Sequence, residues 1–526
     1  MNNKKIFTIC ILIIIIFVSF FSGLIILGVN NQEGIAAEND EEYKVDVIRL
    51  EGGDYGYPSP YAHYPRGPGG YKRNLIFDSL LERGEDGLIP WLAEDYEIRN
   101  DGKEYLFTIR DNIKWHDGES MTVEDIKFSF EYGLEHPLVW SDLKKEDIKN
   151  VEIVNENQIL ITVGEVNASL LYSIGKQRII PKHIWKDVEF PKEYTKEDAV
   201  VGTGPYKLTD YSKEHGSYSF KAFDGFWGPK QKVKEIRFVP VSESTAAFER
   251  DKIDLTNVSP DLLARYKNDS EFKVIQSPAF WGYRLIFNMK EVSALKNKEV
   301  RKAFSYAIDS KELITKVERG AGEPGSAGIL PPDHVYYNPD VKEYNRNPEK
   351  ARKLLEEAGY ESLSLNLNVA DRTVRMAELL KEQLSEVGIE INVKSADGKT
   401  NDSRIDKNNY ELAITGHGGW GGEPDFLIER FGGKNLEGGI SSSGATGYSN
   451  SKLAELLSEQ KEKFSNDKRK ELLFKAQNIL AEDVPEIPLY YTADYTVYRP
   501  EKYDSWMFMF DHHSLTHSKL SYLERE

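Results

Sequence analysis

The chain has 526 residues, too many for one ordinary core, so two or more lobes are expected. Hydrophobic residues at 40% and charged residues at 29% exclude a disordered chain. A net charge of −18 excludes the basic face that nucleic acid or anionic lipid demands, and the single cysteine, Cys10, excludes both an internal disulfide and a cysteine-based metal site.

At the N-terminus, Lys4 and Lys5 precede an almost wholly apolar run, residues 6–29. As a helix that run reaches roughly 36 Å, enough to cross a bilayer. The leading positive charges favour a cytoplasmic N-terminus and an extracytoplasmic body. Residues 1–37, ending in Gly34-Ile35-Ala36-Ala37, read as a signal peptide or an N-terminal membrane anchor, so the body is secreted or held at the membrane.

In the body, residues 45–50 read as a strand leading into a Gly/Pro/Tyr-rich loop, 52–70. A helical turn follows at 74–81 and a strand at 105–110. Thr122 is placed to cap a helix over 122–134, with Glu124 and Asp125 in its first turn. Two strands fall within 147–163, another at 232–241, and a short helix at 245–250. One buried stripe through Val300, Ala303, Phe304, Ala307, Ile308 and Leu313 predicts a single helix over 298–317. Asn347 and Pro348 open the next helix, with Gly359 just past its end. Strand 363–369, helix 374–387 and strand 389–393 then form a βαβ unit, parallel and right-handed. Short strand 412–415, helices 453–464 and 468–482, and strand 488–491 complete the pattern. The class is α/β, strand-rich first and βα-type second, with a tail that returns to extended structure.

Several segments together resemble the family 5 extracellular solute-binding proteins, which cover oligopeptide, dipeptide and nickel-chelate binders. They are Pro90-Trp91-Leu92-Ala93-Glu94, Lys114-Trp115-His116-Asp117-Gly118, Gly202-Thr203-Gly204-Pro205-Tyr206, Asn297-Lys298-Glu299-Val300-Arg301, Asn347-Pro348-Glu349-Lys350-Ala351 and Glu423-Pro424-Asp425. The resemblance implies a two-lobed, periplasmic-binding-protein-like trap with a discontinuous first lobe and an extra subdomain. On this reading lobe I spans 43–285, lobe II spans 286–488, and 489–526 returns to lobe I. Hinges fall near 280–288 and 489–495. The implied partners are a small-molecule or peptide ligand, ABC permease subunits, and the membrane through the N-terminal segment. His116 is expected to hold its turn and bind nothing.

For the ligand, the resemblance offers two branches. Dipeptide binders place an aspartate for the ligand's amino group where this chain has Trp420, with Glu423 and Asp425 as substitutes nearby. The nickel-chelate branch resembles this chain in Trp420 and in Arg178 before Ile179-Ile180-Pro181, an arginine that would hold a chelator carboxylate. Its paired C-terminal histidines match His512 and His513, with His517 beyond, and its pocket-loop histidine matches His63. That implies Ni2+ as transported ligand, not a resident cofactor, with His63, His512 and His513 as donors. The plainer readings are a salt bridge for Arg178 and a solvated tail loop for the histidine pair. An oligopeptide or dipeptide is the alternative cargo.

Enzyme signals are weak. Gly416-His417-Gly418-Gly419-Trp420-Gly421 satisfies a dinucleotide spacing, but Pro424 and the glycine-rich stretch beyond it do not supply the strand that should follow. Gly398-Lys399-Thr400 lacks the earlier glycine of a phosphate loop, and no zinc-protease or nucleophile-elbow motif occurs. The chain is expected not to be an enzyme.

Overall fold

The computed structural model describes residues 43–63, 68–84, 87–137, 143–417, 423–432, 446–508 and 517–525. The apolar run 6–29, Trp420, His512 and His513 therefore lie outside the described residues. Among those described, no helix is long and apolar enough to cross a membrane.

Three sheets are built wholly from first-half strands, and a fourth sets Tyr495–Tyr498 of the tail between Leu255–Val258 and Lys273–Gln276. Val45–Glu51 runs parallel to Val233–Val239, which continues antiparallel through Ser217–Ala222 to Tyr206–Ser212. A second, all-antiparallel sheet orders Ala93–Arg99, Glu104–Ile109, Gln158–Val163 and Ile148–Asn155. Alternating burial along Gln158–Val163, with Ile159, Ile161 and Val163 inward, explains why that strand closes a core. The third is a hairpin, Leu81–Gly84 on Gly87–Pro90.

The second half carries a mixed six-stranded sheet in the order Gly322–Pro324, Glu486–Thr492, Trp281–Phe287, Leu412–His417, Leu363–Ala370, Ile389–Ala396. Leu363–Ala370 runs parallel to both of its neighbours, and its pair with Ile389–Ala396 is joined by the helix Val374–Ser385, as the βαβ reading requires. One large apolar core, from Ala279 to Tyr491, fills this body.

The tail belongs elsewhere. Tyr498, Tyr503, Trp506 and Tyr522 pack with Ile48, Phe77 and Phe220, and Met507, Leu520 and Leu523 pack with Leu80, Trp91 and Trp115. The polypeptide thus runs from the first-half cores into the core of the six-stranded sheet and back again. These passages lie side by side: Ser277 N–H donates to Asp494 O at 2.8 Å, and Asp494 N–H donates to Ser277 Oγ at 2.8 Å.

Two local expectations need correction. The stripe over 298–317 is two helices, Lys298–Ala307 and Ser310–Val317. Ile308 is extended, and Asp309 caps the second helix by accepting from Glu312 N–H at 3.0 Å. A side chain that offers the backbone a cap ends a helix even where the apolar period continues. Likewise the helical turn placed at 74–81 lies earlier, at Pro68–Ile76, opening on Pro68 inside the expected loop. Leu81 instead begins the hairpin. Thr122 does start its helix, where the Asp125 carboxylate accepts from Thr122 N–H at 2.9 Å.

Candidate functional site

The helix Pro68–Ile76 presents Tyr71, Asn74 and Leu75, at i, i+3 and i+4, to a cavity of about 60 Å³. Room of that kind takes about four waters. Glu82 and Arg83 from the hairpin, Lys176 and Arg178, Phe238, and residues 517–519 with Tyr522 of the returning tail complete the lining. The site therefore exists only because the chain's end comes back to its beginning.

Charge is concentrated here. Lys519 Nζ donates to Asp78 at 2.5 Å and to Glu82 at 2.7 Å, while Arg178 Nη1 donates to Glu82 at 2.5 Å. Asp78 also accepts from Trp91 Nε1 at 2.8 Å and from Thr203 Oγ1 at 2.9 Å. Burial alone would raise the Glu82 carboxyl, but Arg178 and Lys519 beside it outweigh that and hold it at about 2. Lys176 donates to Tyr172 OH at 2.7 Å. Arg83, half-buried, makes no hydrogen bond or ion pair among the described residues.

His517, beyond the expected histidine pair, stacks on Tyr71 with ring centroids 4.6 Å apart, and its Nε2 lies 2.7 Å from Tyr522 OH. Burial pushes its imidazole down to about 3. His116, predicted to hold its turn, bridges to the Gly202–Gly204 segment: Nε2 meets Gly204 O at 2.9 Å and Nδ1 accepts from Gly202 N–H. Burial lowers it to about 4. Both folded values lie below the ordinary value near 6.5. The stability they carry is thus complete above about pH 6.5 and lost as pH falls toward 4. Each costs about 1.4 kcal/mol per pH unit through that window. Urea unfolding at pH 7, 6 and 5 should show a fall of roughly 3 kcal/mol per unit below pH 6; a flat profile would contradict neutral burial.

The sequence-predicted site residues separate. Arg178 lines the cavity, with Glu82 as its partner, so a solute carboxylate would compete with Glu82 there. His63 is buried with Nδ1 3.1 Å from Tyr55 O, and it does not line the cavity. Among the described residues no group of three or more His, Cys, Asp or Glu could hold a metal. Trp420, His512 and His513 fall outside the description. Glu423, weighed as an amino-group acceptor, is engaged otherwise. It pairs with Arg469 at 2.8 Å and accepts from Ser169 Oγ at 3.0 Å. Ala168 N–H donates to Lys461 O at 2.8 Å beside it. Gly102, at φ +90°, lies where a Cβ would strike the Phe464 ring. These contacts join first-half loops to second-half helices.

Sequence reasoning missed Asn74, Glu82, Arg83 and Lys519. Spacing carried no signal for them, because Lys519 meets Glu82 across 437 positions and the cavity that gathers the other three is closed by that distant tail.

The chain belongs to a family of binding proteins, not enzymes: residues 87–438 match the bacterial extracellular solute-binding proteins, family 5 middle part. Heme-binding protein A of Haemophilus influenzae is 27% identical over 463 residues, covering 81% of this chain and 83% of that protein. The dipeptide-binding protein of Escherichia coli K12 is 26% identical over 469 residues, covering 81% and 84%. The crystal structure of NikA from Brucella suis in complex with Fe(III)-EDTA has TM-score 0.76 at 21% identity, covering 91% of this chain and all of that one. The fold is accordingly the α/β, two-lobed form of extracytoplasmic solute-binding proteins of ABC transporters.

Proposed function

We propose that this protein captures a short peptide between its two lobes and hands it to an ABC permease. The observation that carries the reading is a pair of bodies joined by two adjacent passages and touching again at Ser169, Glu423 and Arg469. Such a layout suits hinge closure, in which a ligand that contacts both lobes favours the closed state. The strands Trp281–Phe287 and Glu486–Thr492 lie whole in the six-stranded sheet, so we place the lobe boundaries, read from sequence at 285/286 and 488/489, at 276–281 and 492–495 instead. The cation-rich cavity supports an anionic group on the ligand.

A nickel chelate is the second reading. A carboxylate chelator suits the same cations, and Trp420, His512 and His513 supply the sequence features that favour it. We further propose that residues 6–29 hold the body at the membrane, which fractionation of the full chain tests.

Calorimetric titration of the full chain with short peptides and with Ni2+–histidine decides between the cargoes. Peptide binding with no metal binding is expected. Small-angle scattering should show compaction on peptide addition. Glu423→Ala should open the unliganded form and weaken peptide binding roughly threefold to tenfold, the scale of one partly exposed charged contact. Scattering profiles that never change with ligand would overturn the trap mechanism.

A further inference from the structure

Four basic residues line the cavity, and their partners differ. Lys519 and Arg178 are matched by Asp78 and Glu82, and Lys176 rests on Tyr172. Arg83 is matched by nothing among the described residues. On the facing helix, Asn74 Oδ1 is buried and accepts no hydrogen bond. A buried carbonyl without a donor is costly, and so is a half-buried guanidinium without an acceptor. Neither group is explained by the fold, since neither links one element to another.

The two vacancies are complementary in kind. One wants an anionic acceptor, best met by a carboxylate that takes two parallel N–H bonds from the guanidinium. The other wants an N–H donor close by. A peptide's C-terminal residue carries both, a carboxylate and, two bonds from it, an amide N–H. A polycarboxylate chelator offers the first and lacks the second. With Lys176 and Arg83 in excess over the carboxylates, the cavity also favours a ligand end bearing net negative charge.

We propose that Arg83 and Asn74 are the specificity-determining pair of the site: Arg83 takes the C-terminal carboxylate of a peptide, and Asn74 Oδ1 accepts its last amide N–H. This rests on the capture reading above and deepens it. Lys176 adds a second positive charge at the carboxylate, held in place by Tyr172.

The test uses two pools of random tripeptides and pentapeptides, one with free C-terminal carboxylates and one amidated. Binding to the full chain is measured by calorimetry, and bound peptides are identified by mass spectrometry. The wild type should bind the free-acid pool tenfold to a hundredfold more tightly than the amidated pool. Arg83→Gln should erase that preference by weakening only the acid pool. Asn74→Leu should weaken both pools alike, because it removes the N–H acceptor. Among the described residues Arg83 makes no internal pair, so Arg83→Gln should melt where the wild type does, which keeps the loss separate from misfolding. If Arg83→Gln retains the full preference for free acids, the assignment is wrong while peptide capture stands. If the wild type binds neither pool, the capture reading fails and takes this assignment with it.

Discussion

Glu486→Gln should cost the protein most of its stability. Glu486 is fully buried between two arginines, with Arg284 Nη1 at 3.1 Å and Arg430 Nη1 at 3.1 Å. Arg284 and Arg430 are themselves only 3% and 2% exposed in their side chains. Burial and the nearby Arg284 already push the Arg430 guanidinium down to about 9. Removing that carboxylate takes an ion-pair partner from both buried arginines at once in the six-stranded body. Breaking a single buried pair costs about 3–5 kcal/mol, and here one residue serves two. Against a typical total of about 5–15 kcal/mol, the variant should be largely unfolded or lose at least about 4 kcal/mol in urea titration. An unchanged midpoint would show that the arginines find other acceptors.

The second large effect concerns the tail. Lys519→Met preserves the aliphatic stem but strips Asp78 and Glu82 of their ammonium. A loss of about 3–5 kcal/mol is expected, again because a buried charge is left uncompensated. Its signature differs from that of Glu486→Gln. Residues 517–525 should become cleavable by protease while the six-stranded body stays resistant, because those residues pack only on the first-half cores. Acid gives an independent check. Glu82 has a folded value near 2, below its unfolded value, so its contribution is present above about pH 4.5 and disappears between there and about pH 2. That pH dependence should shrink in Lys519→Met. Equal protease resistance in variant and wild type would refute the tethering role.

Much of the local structure was legible. Thr122, Asn347 and Pro348 each mark a helix start through chemistry confined to one turn, and in each case the backbone follows. The βαβ order at 363–396 likewise follows from alternating patterns and the handedness of strand crossovers. Where the reading slipped, a competing local group was responsible. Asp309 stops a helix that the apolar stripe would have continued. Pro68 starts one inside a segment that glycine and proline had marked as loop.

The site was less legible. Arg178 was singled out and does line the cavity, but its partner Glu82 stands 96 positions away and Lys519 meets Asp78 across 441. Glu423, an expected substitute acceptor for a ligand's amino group, bonds Ser169 and Arg469, which stand 254 and 46 positions from it. No periodic pattern encodes pairings at such separations.

The sequence by itself determined the family, the α/β class and the absence of enzyme motifs, since these rest on short motifs and on periods of two and 3.6 residues. Only the tertiary structure decided which of the described charges are matched within the fold and which are not. Coulombic and hydrogen-bond partners act over a few ångströms in space, and chain order does not record which distant segments folding brings that close.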